Sequence, residues 1–323
     1  MERERGLSIN EIFKAERQQF IPEVGEQLAK ETTTTVELEG QPVKIDYRVI
    51  WIKDKEYPGK PPVVLLPGFG SGWEGISELG FSLAGEGRRV VMPSLPGYGK
   101  SENPPTAYLE RKDFSGEAEA LKKVIDNLQT AGELTDGKVH LVGHSMGSEV
   151  IAEFRKRYPD QTQSIVLLNA AGIEGHEDAV KMATRFLGSG AYTGGEYKVR
   201  LMFAGEKDYQ DALKSFIPKT KSPFSKDRLP QRLAEVKKLT TGHLIDNIKQ
   251  GDSHVTFISG ELDPVYPPGS ADDPKSQLSR LIEAVKDKTK LSTSVMAGLR
   301  HNTTIAPDEI TAANINGYLL DAE

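Results

Sequence analysis

The sequence predicts an α/β protein in which a mostly parallel sheet carries helices on both faces. Short apolar runs, such as residues 63–66, have the length and composition of strands that are buried on both sides. Amphipathic stretches with helical spacing separate these runs, and this alternation is typical of parallel sheets. The alternation stops after the sixth strand, where residues 173–250 are helical in tendency and interrupted by glycine and proline. These observations predict an α/β core with a helical cap inserted after the sixth strand.

The individual elements follow from local patterns along the chain. Residues 33–38 and 43–52 are rich in β-branched and aromatic side chains and flank a Glu-Gly-Gln-Pro turn, which predicts a hairpin. Further strands are predicted at residues 63–66, 89–92, 138–142, 164–169, 254–259 and 291–296. Helices are predicted at residues 115–130, 146–158 and 274–286 and from residue 307 onward.

These elements divide the chain into three predicted parts. Residues 1–32 are expected to form a helical lead-in, because Ser8 and Glu11 have the spacing of a capping box. Residues 33–172 and 251–323 form the α/β core, and residues 173–250 form the cap, or lid. The lid carries more Lys and Arg than Asp and Glu. We interpret this excess as a solvated face rather than as a site for anionic substrates.

The composition limits the possible functions. The chain has 323 residues and a net charge of −6, which argues against a general nucleic-acid surface. Its apolar runs are only a few residues long, so no membrane span is expected, and its mixed-charge N-terminus predicts no secretory signal. The absence of cysteine excludes disulfides and thiolate metal sites. A cytoplasmic location is expected, and the sequence does not indicate an oligomeric state.

A Gly-x-Ser-x-Gly turn lies between a predicted strand and a predicted helix. Gly143, Ser145 and Gly147 occupy its fixed positions. Such a turn forces the serine into a strained backbone conformation, and side chains at the flanking positions would collide unless they are very small. The strain lifts the serine hydroxyl clear of the sheet at the start of a helix, where backbone N–H groups point toward the atom that it attacks. The turn therefore predicts a nucleophilic serine at position 145.

Two other glycine motifs are rejected as cofactor sites. Gly70, Gly72 and Gly75 match Gly-x-Gly-x-x-Gly, but the next strand ends at Pro93 without the carboxylate that a dinucleotide fold uses to hold the ribose. The Gly-Lys-Ser at residues 99–101 is followed, after Glu102, by the Asn-Pro-Pro at residues 103–105, which blocks the helix that a phosphate-binding loop requires. The histidines have no ligand-type spacing, so neither a cofactor nor a metal is expected.

A carboxylate and a histidine follow the last strands of the predicted sheet. Asp263 lies just past the strand at 254–259, and His301 lies just past the strand at 291–296. Both loops leave the edge of the sheet at which Ser145 also lies, and open α/β sheets bind ligands at that edge. A serine hydroxyl needs a base to remove its proton, and the base needs a carboxylate to orient it. Glu261 is a rival for the carboxylate, although the pattern favours Asp263.

At this point the chain resembles the α/β-hydrolase family, specifically serine esterases with a helical lid. The order Ser, Asp, His along the chain is the one expected of that family. The resemblance rests on five segments in the family's order. Residues 63–72 and 94–101 match the loops after its third and fourth strands, and residues 143–147 match its nucleophile elbow. Residues 260–264 match its acid loop, and residues 300–302 match its histidine loop. One departure is Pro67, where the family often has histidine.

The resemblance implies a role for each of these residues. Ser145 would attack an acyl carbon, His301 would take and return the proton, and Asp263 would orient the imidazole. The backbone N–H groups of Phe69 and Met146 would form the oxyanion hole. The side chains predicted to line the substrate pocket are His144, Phe186, Leu187 and Phe203.

The function predicted from the sequence is hydrolysis of small or medium carboxylic esters through an acyl-enzyme. Hydrolysis of a carbon–carbon bond in a diketone is the alternative, because it uses the same triad. A lidded receptor that binds a small molecule with little turnover is a third hypothesis, from a different functional class. The triad specifies the type of reaction and leaves the choice of substrate to the lid.

Overall fold

The computed structural model describes residues 27–52, 60–135, 137–173, 225–297, 301 and 309–323. Its strands are β1 (Gln27–Leu38), β2 (Gln41–Ile52), β3 (Val63–Leu66), β4 (Val90–Pro93), β5 (Val139–His144), β6 (Thr162–Leu168), β7 (His254–Gly260) and β8 (Leu291–Met296). Its helices are α1 (Ser77–Gly85), α2 (Thr106–Leu109), α3 (Ser115–Thr130), α4 (Met146–Arg157), α5 (Leu229–Thr241), α6 (Leu244–Gln250), α7 (Gln277–Ala284) and α8 (Glu309–Asp321). Short 3₁₀ helices occupy Trp73–Ile76, Pro159–Gln161 and Lys288–Lys290.

The strands form one sheet in the order β1-β2-β4-β3-β5-β6-β7-β8. Strand β2 is antiparallel to both of its neighbours, and all the other neighbouring pairs are parallel. The carboxyl ends of β3 to β8 therefore lie at one edge of the sheet, and the loops that leave them are brought together there.

Helices cover both faces of the sheet, and each face has its own apolar core. In β3, Val64 and Leu66 point into a core with side chains from α3, α4, α6 and α7, whereas Val63 and Leu65 point into a core with α1 and α8. This alternation follows from the two-residue period of a strand. Both cores are almost closed to solvent. The predicted α/β fold class, with a mostly parallel sheet and helices on both faces, is confirmed.

The first strand corrects the predicted boundary of the lead-in. Strand β1 begins at Gln27, and it pairs with β2 from Gln27 opposite Ile52 to Leu38 opposite Gln41. Residues 27–32 are thus strand rather than the end of a helical segment. Their sequence is polar and carries little strand signal of its own, so the ladder with β2 stabilises them. Residues 1–26 of the predicted lead-in lie outside the described residues.

The predicted cap, residues 173–250, is also partly core. Ile173 is fully buried within the first core, and so are Leu244 and Ile248 of helix α6, which packs against α4 and α7. An apolar stripe thus attaches α6 to the core, and the division of the chain at residue 250 stays a prediction. Helix α5 precedes α6, and residues 174–224 lie outside the described part of the chain. None of the described helices has the length and apolar character that crossing a bilayer requires.

Both ends of the insert meet at one buried carboxyl group. Glu149 on α4 accepts a hydrogen bond at Oε1 from the backbone N–H of His243, at 3.2 Å. Gly172 lies so close that an added Cβ would stand 1.8 Å from the same oxygen. Burial raises the pKa of Glu149 to about 8, although the backbone N–H groups of His243 and Leu244 oppose that rise. The carboxyl group is therefore protonated at neutral pH.

Replacement of this carboxyl group should change how stability depends on pH. A group whose pKa is about 8 when folded and about 4.5 when unfolded contributes stability that is complete below the lower value and is lost as the pH rises through the upper one. Glu149→Gln removes this titration. The free energy of unfolding of the variant, relative to the wild type, should rise by on the order of a few kcal/mol between about pH 5 and about pH 9. Urea denaturation at both pH values measures the change.

Glu153→Gln, one turn further along the same helix, is the matched control. The Glu153 carboxylate pairs with Lys156 at 2.7 Å and with Arg157 at 2.5 Å, so its neutralisation should lower stability near neutral pH. An equal difference between Glu149→Gln and the wild type at both pH values would contradict the assignment.

Candidate active site

Ser145 occupies a strained turn between β5 and α4. Its φ is +51° and its ψ is −117°, a backbone conformation that a residue with a side chain rarely adopts. A Cβ at Gly143 would stand 2.5 Å from the backbone of Gly147, and a Cβ at Gly147 would stand 2.8 Å from the carbonyl oxygens of Leu66 and Pro67. Since real Cβ contacts are never so short, both positions require glycine. The sequence folds in this way because its glycines allow three backbone segments to meet around Ser145.

The three predicted catalytic side chains lie together at the carboxyl edge of the sheet. His301 Nδ1 is 2.9 Å from Asp263 Oδ2, and His301 Nε2 is 3.1 Å from Ser145 Oγ. Because Nδ1 faces a carboxylate, it carries the proton of the neutral imidazole, and Nε2 is free to accept the hydrogen of the serine hydroxyl. All three side chains are buried. The geometry is that of a nucleophile, a base and an orienting acid within proton-transfer reach.

Asp263 is held in its charged form by the groups around it. Its Oδ1 accepts hydrogen bonds from the backbone N–H groups of Val265 at 2.8 Å and Tyr266 at 2.9 Å. Burial alone would raise the pKa of this carboxyl group, but the hydrogen bond to His301, the charge of His301 and the two N–H groups together lower it. The rival carboxylate, Glu261, is exposed two residues earlier. Asp263 is therefore the carboxylate that faces the imidazole.

The backbone of His301 is held by the side chains of His144 and Asn169, a contact that the sequence did not predict. The carbonyl oxygen of His301 is 2.6 Å from His144 Nε2 and 3.0 Å from Asn169 Nδ2. Asn169 also accepts a hydrogen bond at Oδ1 from the backbone N–H of Gly260, at 2.8 Å, and so links the ends of β6 and β7. The positions of His144 and Asn169 at strand ends were visible in the sequence. Nothing local indicated that both would reach a residue more than a hundred positions away.

His144 is neutral in this setting. Burial lowers its pKa to about 3, with a further contribution from the nearby His301. Because His144 Nε2 contacts a carbonyl oxygen, Nε2 carries the proton and donates it, while Nδ1 faces Gly68, where an added Cβ would lie 3.0 Å away. The sequence placed His144 in the substrate pocket. The structure gives its ring these contacts with His301 and with Gly68 in the loop after β3, and a contact with substrate stays a prediction.

Of the two residues predicted to supply the oxyanion hole, Met146 lies in the elbow and Phe69 lies in a loop beside it. Met146 is the first residue of α4, where backbone N–H groups have no partner within the helix. Phe69 lies in the loop after β3. This loop runs against the elbow, since a Cβ at Gly68 would stand 3.1 Å from Ser145 Cβ.

The other predicted pocket residues, Phe186, Leu187 and Phe203, lie outside the described residues. Within the part of the chain that the structure describes, no three His, Asp or Glu side chains converge in a way that would hold a metal ion.

The chain was compared with known families and curated proteins. Residues 61–289 match the family model for the alpha/beta hydrolase fold. A 2-hydroxy-6-oxononadienedioate/2-hydroxy-6-oxononatrienedioate hydrolase from Escherichia coli K12 is 34% identical over 113 residues, which cover 34% of this chain and 36% of the relative. A protein of the same name from Paraburkholderia phymatum is 34% identical over 129 residues, which cover 39% and 41%. The match spans well under half the length of these relatives.

Solved structures resemble most of the chain at low identity. A thermophilic esterase from Thermogutta terrifontis has a TM-score of 0.62 and 16% identity, with 91% of this chain and 99% of that one covered. An esterase from Exiguobacterium antarcticum has a TM-score of 0.63 and 18% identity, with 90% and 100% covered. At this level of identity the likeness is one of fold alone.

Gly147→Ala should destabilise the protein, because the new Cβ would meet two carbonyl oxygens at 2.8 Å. We expect a loss of about 2 kcal/mol in the free energy of unfolding from overpacking. Gly317→Ala is the control. Gly317 lies in helix α8, where an added Cβ meets nothing within 4 Å, and alanine should stabilise by about 0.5 to 1 kcal/mol. Urea denaturation of both variants tests the contrast, and equal stability of Gly147→Ala and the wild type would contradict the steric argument.

Proposed function

Because this chain belongs to the family of proteins with the alpha/beta hydrolase fold, we propose that it is a serine hydrolase with Ser145 as nucleophile. The observation that supports this most directly is the unbroken line of hydrogen bonds from Asp263 through His301 to Ser145 Oγ. In this proposal His301 is the general base and later the general acid, and Asp263 orients it.

The proposed reaction follows from the positions of these atoms. As Ser145 Oγ forms a bond to the acyl carbon, its proton passes to His301 Nε2 and the carbonyl electron pair moves onto oxygen. The imidazolium formed lies against the Asp263 carboxylate, which lowers its free energy. When the tetrahedral intermediate collapses, the bond to the leaving alcohol breaks and the alcohol takes the proton from Nε2. Water then enters, and its oxygen bonds to the acyl carbon while its proton passes to the same nitrogen. When this second intermediate collapses, the bond to Ser145 Oγ breaks, Oγ takes the proton from Nε2, and the acid is released.

The negative oxygen of the intermediate needs hydrogen-bond donors that are already in place. We assign this role to the backbone N–H groups of Met146 and Phe69. The first is in the first turn of α4, where the helix dipole also favours negative charge. The loss of one such donor typically raises the barrier by about 3 kcal/mol.

Carboxylic esters are the proposed substrates, because an alcohol leaving group needs only the proton that His301 carries. A second candidate comes from the curated relatives. Their named substrates contain a ketone and two carboxylates but no ester, so water can cleave them only at a carbon–carbon bond beside the ketone. The same serine would attack that ketone, and a carbanion rather than an alkoxide would leave and need the proton. The limited overlap with these relatives makes this the second proposal.

Ser145→Ala should abolish both covalent labelling by a fluorophosphonate and hydrolysis of short p-nitrophenyl esters, with a loss of at least about a thousandfold in kcat. Ser82→Ala is the matched control, because Ser82 lies on α1 and its hydroxyl donates to the Glu78 carbonyl oxygen of its own helix. It should label as the wild type does. Labelling that persists in Ser145→Ala would move the nucleophile elsewhere.

A substrate panel separates the candidate functions. Turnover of p-nitrophenyl esters of different chain length should exceed turnover of a 2-hydroxy-6-oxo dienoic acid if esters are the substrates. The reverse order would support the second candidate. Stoichiometric binding of a panel compound without turnover would support the lidded receptor instead.

Asp263→Asn tests the orienting carboxylate. An amide oxygen can still accept from the N–H groups of Val265 and Tyr266, but the uncharged group cannot stabilise an imidazolium. We expect kcat to fall by about a hundredfold to ten-thousandfold with the fold retained. Glu261→Gln, two residues earlier in the same loop, should leave kcat within about twofold of the wild type, since that side chain is exposed. An equal loss in both variants would argue against Asp263 as the partner of His301.

A further inference from the structure

Helix α5 packs onto the core through charged side chains that are almost completely buried. Arg232, Glu235 and Lys238 are each at most 2% exposed. Arg232 Nη1 donates to Glu235 Oε2 at 2.5 Å, and Lys238 Nζ donates to Glu117 Oε1 on α3 at 2.8 Å. Buried charges are costly unless they are paired with good geometry. These pairs are specified by direction and distance, and they add to the apolar packing of Leu239 in the first core.

The charged side chains of α5 also contact a tyrosine, Tyr98, in the loop after β4. The Tyr98 side chain is 1% exposed, and its hydroxyl donates to Glu235 Oε2 at 2.5 Å. The Arg232 guanidinium carbon lies 3.5 Å from the centre of the Tyr98 ring, and Arg232 Nη2 donates to the carbonyl oxygen of Gly97 at 2.8 Å. Two residues of α5 thus hold both the ring and the hydroxyl of Tyr98.

The other side of Tyr98 faces the predicted oxyanion hole. Its hydroxyl lies 3.8 Å from Met146 Sδ. Among the groups around the hydroxyl oxygen, the backbone N–H of Gly70, the residue after Phe69, lowers the pKa of Tyr98. Burial and the nearby charge of Glu235 raise the pKa of Tyr98 well above its usual value, so the hydroxyl keeps its proton and acts as a donor. Tyr98 therefore touches both segments whose N–H groups we assign to the oxyanion.

We propose that Tyr98 and Glu235 are positioning residues. Through them, the packing of helix α5 against the core controls the geometry of the oxyanion hole. This inference rests on the proposed function, since it concerns the N–H groups of Phe69 and Met146. Donors of this kind act only when they are aimed at the place where negative charge develops. With α5 seated, Tyr98 is fixed by Glu235 and Arg232 and in turn fixes the Gly70 backbone and the Met146 side chain. Without α5, the hydroxyl loses its acceptor and both segments lose a common support.

The charged character of the contact suits an element that docks and undocks. Separation of an apolar interface would expose hydrocarbon to water, at a cost proportional to its area. Separation of α5 instead returns Arg232, Glu235 and Lys238 to water, and their hydration offsets much of the lost pairing. The charged pairs thus add little to the cost of separation and fix one docked position, while Leu239 supplies the apolar part of the contact.

Tyr98→Phe isolates the hydroxyl, because the ring and its stacking with Arg232 remain. The test uses p-nitrophenyl butyrate, a trifluoromethyl ketone that forms an oxyanion on the serine, and the matching methyl ketone, which binds mainly as the neutral ground state. We expect kcat/KM and the affinity for the trifluoromethyl ketone to fall together by about tenfold. The affinity for the methyl ketone and the thermal midpoint should change little. A merely structural role would lower all the affinities alike or none.

Variants on α5 test the other half of the coupling. Glu235→Leu removes the acceptor and should cause the same losses as Tyr98→Phe, and the double variant should be no worse than either single variant. Glu235→Gln keeps an acceptor oxygen for Tyr98 and should recover most of the trifluoromethyl ketone affinity. Leu233→Gln changes the exposed face of the same helix and is the control, with no change in the ratio of the two ketone affinities.

The outcomes distinguish this inference from the proposed function. If the wild type is not labelled by a fluorophosphonate at Ser145, the proposed function is wrong. If the wild type is labelled but Tyr98→Phe and Glu235→Leu leave the ratio of the ketone affinities unchanged, or if their losses simply add in the double variant, the coupling is overturned. If Glu235→Leu does not fold, Tyr98→Phe still decides, because that variant must lose affinity for the trifluoromethyl ketone while it keeps its affinity for the methyl ketone.

Discussion

The rest of the site depends on the lack of space around Ser145. Its left-handed backbone conformation costs on the order of 1 to 3 kcal/mol, and it persists because the backbones of β3, β5 and α4 meet there with glycine at both contact points. The apolar layers on both faces of the sheet hold these three segments, so the strain cannot relax. The hydroxyl is consequently fixed in place, and the other groups of the site are brought to it from separate strand ends.

Around this fixed point the structure relies on buried polar contacts rather than on further apolar packing. His301 is held by its own carbonyl oxygen, which His144 and Asn169 both contact, and Asp263 is held by two backbone N–H groups. Such groups are expensive to bury without partners, and each is therefore confined to the geometry that satisfies it. Two kinds of contact therefore act at this edge of the sheet. Apolar packing keeps the strands rigid, and the buried hydrogen bonds orient the side chains of Asp263 and His301.

The sequence predicted the features that local sterics control and missed those that arise between distant segments. The elbow was predictable because glycine at positions 143 and 147 is a local sequence sign of a turn too crowded for a side chain. The start of β1 at Gln27 was not, because its polar residues form a strand only when β2 lies beside them. Helix α1 was missed because Gly80 lowers helix propensity, whereas in the fold that glycine allows close contact with Met92. The contact between Tyr98 and Glu235 joins residues 137 positions apart and has no local pattern.

The meeting of both ends of the insert at Glu149 has a consequence for how such a protein can change. Gly172 and His243 lie against the same carboxyl group, so the chain leaves the core and returns to it at neighbouring points. A segment of another length or sequence can be exchanged between these points without any shift of strands β6 and β7. Under the proposed function, new substrate preferences can therefore arise by replacement of this one segment without change to the catalytic residues, provided that each replacement again supplies an acceptor for the hydroxyl of Tyr98.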